Sequence, residues 1–127
     1  DVIVGISRGG LIPAVRISHI FDNKRLLLME AKYYKDIGVR DDKPKITLPL
    51  KKEDIAGKRV LLVDDVADTG GTLVVVKEYI ESLSPIDLKV AVVASKPISL
   101  VKPDYTVFNT DRWIIFPWEK MPVEKKK

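Results

Sequence analysis

Apolar and polar positions along this chain follow two rhythms. Short apolar runs rich in β-branched residues, Val2 to Ile6, Leu26 to Lys32, Arg59 to Asp64, Lys89 to Ala94 and Asp104 to Asn109, have the length and composition of strands. Between them, Gly9 to His19 and Leu73 to Leu83 place apolar residues three or four apart, as helices do. In the first helix Ile12, Val15, Ile17 and Ile20 are available for a buried side. In the second, Val76, Tyr79, Ile80 and Leu83 form an inner face, and Ser84-Pro85 stops it. Strands alternating with helices predict an α/β fold, a three-layer sandwich around a mainly parallel sheet. Tyr33 to Lys45 is polar and charged without periodicity, and Ile46 to Leu50 reads as a short strand closed by Pro49. This excursion predicts a small flap over about residues 33–50. Because Val2 to Ile6 reads as a buried strand with nothing before it to cover one side of the sheet, a preceding N-terminal segment is expected.

Composition narrows the possible chemistry. At 127 residues, 46% hydrophobic and 31% charged, the chain suits one domain over residues 1–127, with one active site. No apolar run is long enough to cross a bilayer, so no membrane partner is expected and the cytoplasm is the expected compartment. With no cysteine and a single histidine, His19, there is no disulfide framework, thiolate metal site or thiol nucleophile to consider. Part of the net charge of +4 comes from the tail Glu124-Lys125-Lys126-Lys127, so nucleic-acid binding is not implied.

Three segments carry candidate chemistry. The strand ending in Asp64 and Asp65 runs into Asp68-Thr69-Gly70-Gly71-Thr72, at the start of the second helix. Backbone N–H groups of a glycine loop at a helix N-terminus bind anions, and Thr69 and Thr72 add hydroxyl donors, which suits a phosphate monoester. Adjacent carboxylates repel phosphate but accept hydrogen bonds from sugar hydroxyls and help hold Mg²⁺, with Asp65 the candidate ligand. A phosphorylated sugar meets both demands. In the second segment, Gly5-Ile6-Ser7-Arg8-Gly9-Gly10, glycines let the backbone approach an anion and Arg8 offers forked donors to a diphosphate. In the third, Lys96 follows the strand that ends at Ala94-Ser95, and Trp113 follows the last strand. An aromatic plate beside an ammonium can stack a purine and donate to an exocyclic oxygen. Each feature alone has a plainer reading: a tight turn at Gly70-Gly71, solvated strand-end acids at Asp64 and Asp65, a helix N-cap at Asp68, and packing roles for Trp113 and Trp118.

Taken whole, Val60 to Leu73 resembles the phosphoribosyl-pyrophosphate signature of type I phosphoribosyltransferases. The resemblance implies that Asp64 and Asp65 contact the ribose hydroxyls and that Asp68, Thr69, Gly70, Gly71 and Thr72 wrap the 5-phosphate. Asp68 then lies near N7 of the base, as general base or as stabiliser of the departing proton. Ser7, Arg8 and Gly9 match the family's pyrophosphate loop, where the peptide corresponding to Ser7-Arg8 is often cis. Tyr33, Tyr34 and Lys35 resemble the hood that closes over bound pyrophosphate, with Tyr34 the candidate contact. Ala94-Ser95-Lys96-Pro97 and Asp111 to Glu119 resemble the bacterial xanthine–guanine members. That likeness implies that Lys96 reads O6, Trp113 stacks on the ring and the Ile114 carbonyl faces the 2-position. At Ile115 those relatives carry an acid, so the preference for a 2-substituent stays open.

The expected activity is therefore Mg²⁺-dependent transfer of ribose 5-phosphate from phosphoribosyl pyrophosphate to N9 of guanine, xanthine or hypoxanthine. Pyrophosphate and a purine nucleotide are the products, and purine salvage is the setting. Family members pair through the sheet region, so a homodimer or homotetramer is expected. Two alternatives stay open: a regulator on the same fold that binds nucleotide or RNA, and an enzyme specific for adenine or orotate. Lys96 argues against adenine, because an ammonium cannot accept a bond from an exocyclic amine. A P-loop kinase is excluded, since Gly70-Gly71-Thr72 has no lysine of the required kind.

Overall fold

A computed structural model describes residues 1–33 and 44–119. Its elements run β1 (Val2–Ile6), α1 (Leu11–Ile20), β2 (Leu26–Lys32), β3 (Lys45–Leu48), α2 (Lys52–Ile55), β4 (Arg59–Ala67), α3 (Gly71–Glu81), β5 (Asp87–Ser95) and β6 (Tyr105–Asn109), followed by a short 3₁₀ turn at Pro117–Glu119. The strands form one six-stranded sheet in the order β3-β2-β1-β4-β5-β6. All neighbours are parallel except β3, which runs antiparallel against β2. The strand part of the 33–50 excursion is thus the sheet's antiparallel edge.

The two faces of the sheet are covered unequally. On one, α3 and α2 bury Leu73, Val76, Ile80 and Ile55 against Val4, Ile6, Met29, Leu62, Val90 and Val92. On the other, α1 covers a smaller patch of Ile3, Val63 and Ala91. This gives the expected three layers.

The face of α1 differs from the one its larger apolar residues suggest. Ala14 and Ser18 are the buried positions, Ile17 is half-buried, and Ile12, Val15 and Ile20 are exposed. The cause is the closeness of α1 to β1: a Cβ built on Gly5 would lie 2.9 Å from the Ala14 Cβ. Only small residues fit at that separation, so the run Gly10, Ala14, Ser18 sets the inner side. The Ser18 hydroxyl is satisfied there by donating to the Val15 carbonyl at 2.6 Å.

Gly10, where β1 turns into α1, permits an equally close approach. A Cβ there would lie 2.6 Å from the Val63 carbonyl oxygen and 2.7 Å from that of Ile6, both in the sheet backbone. Both are backbone atoms, and the Ile6 carbonyl is also bonded to Gly10 N–H at 2.9 Å, so no side-chain movement relieves the clash. Gly10→Ala is expected to cost about 2–3 kcal/mol of stability, measured by urea unfolding. An unchanged unfolding midpoint would show that the contact is looser than this.

Candidate active site

The parallel pairing of β1 with β4 brings the ends of both strands to one edge. From β1 the chain steps outward to β2, whereas β4 and β5 continue on the other side, so the direction reverses between β1 and β4. Such a switch point leaves a crevice at the carboxyl ends of the strands, where open α/β sheets bind ligands. Both glycine turns lie there.

The β4 strand continues through Ala67, three residues beyond the predicted end at Asp64, so both acids are held by strand geometry. Asp65 N–H donates to the Asp64 carboxylate at 2.8 Å, and Val66 N–H donates to that of Asp65 at 2.8 Å. Burial, reinforced by the neighbouring Asp65 charge, pushes the Asp64 carboxyl well above the usual carboxylate range. Two acids held this way lack a compensating charge among the described residues, which suits sugar hydroxyls or a cation. The Asp65 carboxylate lies directly against Gly9, in the space any side chain at that position would take. The acid pair and the first glycine turn therefore touch. Within that turn the Ser7–Arg8 peptide is cis, as the resemblance implies, and Arg8 is exposed.

The second turn leads into α3 through Gly70, whose φ of +87° favours glycine. Gly70 is the helix N-cap, and no side chain caps it. This removes the capping explanation for Asp68; Gly71 N–H makes only a long contact of 3.5 Å to Thr69 Oγ1, and the N–H groups of Thr72 and Leu73 are open to an anion. A cavity of about 240 Å³ opens here, lined by Tyr33, Asp64, Asp65 and residues 66 and 68–73.

The segment from Lys96 to Val101, of which the sequence singles out only Lys96 and Pro97 and those for the base, holds this turn in place. Leu100 N–H donates to the Thr69 carbonyl at 2.9 Å and Lys96 N–H to that of Ala67 at 2.9 Å. A Cβ on Gly70 would lie 2.6 Å from Leu100 N, so residues 96–101 buttress the turn from outside. Only the prolines Pro97 and Pro103, punctuating a long connection, hint at this in the sequence.

The base-site candidates also come together. The Lys96 ammonium lies 3.2 Å from the Asp68 carboxylate and 5.5 Å from the centre of the Trp113 ring. The Lys96 side chain is only 12% exposed, while Trp113 is 80% exposed. Trp118 behaves differently, stacking on buried Phe116 with ring centres 4.6 Å apart. The packing reading thus holds for Trp118 and not for Trp113. Ile114 is half-buried beside Trp113, and its carbonyl accepts no hydrogen bond from the described residues. Tyr34 lies outside the described residues, as does most of the expected flap.

A larger cavity, about 720 Å³, opens at the other end of the strands among Val2, Ile3, Phe21, Leu61 and Tyr105. It has neither a glycine turn nor paired acids, and it lies away from the switch point, so its size does not make it the reaction site.

Comparison with known proteins identifies the family. The phosphoribosyl transferase domain family matches residues 1–124. A xanthine-guanine phosphoribosyltransferase of Cereibacter sphaeroides is 31% identical over 121 residues, covering 92% of this chain and 68% of that protein. One from Desulfotalea psychrophila is 34% identical over 119 residues, covering 92% and 69%. Among solved structures, a purine phosphoribosyltransferase from Pyrococcus horikoshii superposes with a TM-score of 0.86 at 50% identity, covering all of this chain and 82% of the other. The xanthine-guanine-hypoxanthine enzyme of Helicobacter pylori gives 0.79 at 26% identity, covering 93% and 75%. Two glycine turns facing each other across an acid pair thus accompany similarity along nearly the whole sequence, and the chain belongs to the phosphoribosyltransferase family, among its purine pentosyltransferases.

Proposed function

We propose that the protein transfers ribose 5-phosphate from phosphoribosyl pyrophosphate to N9 of a 6-oxopurine, with Mg²⁺, in purine salvage. The observation that carries this reading is the Asp68–Lys96–Trp113 group beside the acid pair. On an oxopurine, O6 and N7 are neighbours on one edge. A donor and an acceptor 3.2 Å apart match them, Lys96 facing O6 and Asp68 facing the N7 proton, while Trp113 offers its ring face.

In this scheme the N9 lone pair forms the bond to C1 of the ribose as the bond from C1 to pyrophosphate oxygen breaks. The bonding electrons leave with pyrophosphate, and the N7 proton passes to Asp68. Asp64 and Asp65 hold the ribose hydroxyls close to the positive charge that develops on the ring. The open N–H groups at the start of α3, with Thr69 and Thr72, hold the 5-phosphate. Ser7, Arg8 and Gly9 face the pyrophosphate end.

The donor set fits Mg²⁺ only in part. Among the described residues no three acidic or histidine side chains converge on one point, so Asp65 would hold the ion together with substrate oxygens. Bound there, Mg²⁺ would neutralise charge on the leaving pyrophosphate. The exposed Ile12, Val15, Ile20 and Phe21 on and beside α1 form apolar surface of the kind subunit contacts cover, which supports a homodimer or homotetramer.

Nucleotide formation with guanine, xanthine, hypoxanthine, adenine and orotate offered separately tests the reading. Turnover confined to the oxopurines is the expected result. Turnover with adenine alone would remove Lys96 as the O6 reader. Binding of phosphoribosyl pyrophosphate without turnover would favour a regulator that keeps the pocket.

A further inference from the structure

A tyrosine within α3, Tyr79, and one that reaches the helix from β2, Tyr33, have hydroxyls in opposite states. Tyr79 Oη accepts from Leu50 N–H at 2.9 Å and donates to the Leu50 carbonyl at 3.1 Å, tying the chain after β3 onto the helix. Both of its hydrogen-bonding roles are filled. Tyr33 leaves the end of β2, two strands away from β4, yet its hydroxyl stands over Gly71 in the first turn of α3. There it has no hydrogen-bond partner among the described residues, although the tyrosine lines the 240 Å³ cavity. Among the described lining residues it alone does not come from residues 64–73.

Gly71 supplies the second line of argument. Unlike Gly70, it has no positive φ, and as the first residue of α3 it holds a backbone conformation that alanine adopts readily. Conformation therefore does not call for glycine. The space is taken instead by the Tyr33 hydroxyl: a Cβ at 71 would displace it, whereas the ring carbon Cζ would lie at a comfortable 3.6 Å and Thr69 Oγ1 at 3.8 Å. The missing side chain admits the hydroxyl in particular.

We propose that Tyr33 is a ligand of the 5-phosphate, its hydroxyl donating to a phosphate oxygen held at the start of α3. The inference rests on residues 69–72 being the 5-phosphate loop. It places Tyr33 at the sugar-phosphate end of the substrate, not at the pyrophosphate end to which the hood resemblance assigns it together with Tyr34 and Lys35. A neutral phenol donor adds no repulsion toward Asp64 and Asp65, and its hydroxyl lines the pocket directly over Gly71. The residue thereby selects for a phosphorylated sugar.

Titrations of wild type and Tyr33→Phe with ribose 5-phosphate and, separately, magnesium pyrophosphate, followed by ³¹P NMR, distinguish the two ends. Loss of a hydrogen bond to a charged oxygen should weaken ribose 5-phosphate about tenfold and leave pyrophosphate within about twofold. Unchanged ribose 5-phosphate affinity, or a loss confined to pyrophosphate, overturns the assignment of Tyr33 while leaving the loop reading intact. Failure of wild type to bind ribose 5-phosphate overturns both. Gly71→Ala provides a second check. It should weaken ribose 5-phosphate strongly in wild type and much less in the Tyr33→Phe background, where the collision is gone; equal losses in both backgrounds would overturn the proposal.

Discussion

Asp68→Asn is expected to lower kcat by about 10²- to 10³-fold while leaving the KM for phosphoribosyl pyrophosphate within about twofold. Asparagine matches the shape of aspartate and can still accept a hydrogen bond, but it cannot take the N7 proton. The carboxylate contacts Lys96 at 3.2 Å and does not cap α3, so its removal leaves the start of that helix as it is. Steady-state kinetics with the base varied and then with phosphoribosyl pyrophosphate varied would separate the two effects. A fall in kcat of less than tenfold would mean that solvent or another group takes the proton. A large rise in the KM for phosphoribosyl pyrophosphate would instead place Asp68 on the phosphate. Lys96 adds a further expectation: with its anionic partner gone, its charge is less compensated in a site where it is nearly buried, so base affinity should fall as well.

The parts of this fold that were legible in the sequence are those governed by local rules. Five strands and the inner face of α3 follow from periodicity and from Pro85: of Val76, Tyr79, Ile80 and Leu83, Val76 and Ile80 are buried and the other two half-buried, while buried Leu73 lies outside the predicted face. The segment Lys52–Ile55 is a single turn, too short for any periodic signal, and was not predicted. The inner face of α1 is not legible from periodicity, because its larger apolar residues, Ile12, Val15 and Ile20, lie on the exposed side. What decides it is the distance to β1, which depends on Gly5, a residue outside the helix. In the site, the two glycine turns and the acid pair were legible because each is a contiguous string with its own chemistry. The proximity of Lys96 to Asp68 was implied only through resemblance, since 28 positions separate the two. The contact of Leu100 with Thr69 and the reach of Tyr33 to Gly71 had no local signature, because both depend on which strands lie side by side. Strand β4 also runs past its predicted end, which changes the physical character of the acids: they are strand residues with fixed partners, and one is strongly desolvated.

That desolvation leads to the second large effect, in which activity and stability move in opposite directions. Burial raises the Asp64 carboxyl well above its ordinary value of 3.8, so across the interval between that value and the raised one the folded protein holds a proton that the unfolded chain has released. The native state then binds more protons, and stability falls as pH rises. The favourable contribution is fully present below the ordinary carboxylate range and is lost as pH climbs through the raised value. Asp64→Asn removes the titration. With magnesium chelated and no ligand bound, the variant should melt a few degrees above wild type at neutral pH, and its melting temperature should depend less on pH over that interval. In the same variant kcat/KM for phosphoribosyl pyrophosphate should fall about 10²-fold, because the charge that orients the ribose and offsets its developing cation is gone. The wild-type chain thus keeps a charge that its own fold disfavours at the place where substrate needs it, a cost common at functional sites. Melting curves from acid to neutral pH decide the matter: if Asp64→Asn is less stable than wild type at neutral pH, the carboxylate is better compensated than its burial and the Asp65 charge imply, and the opposition between stability and activity disappears.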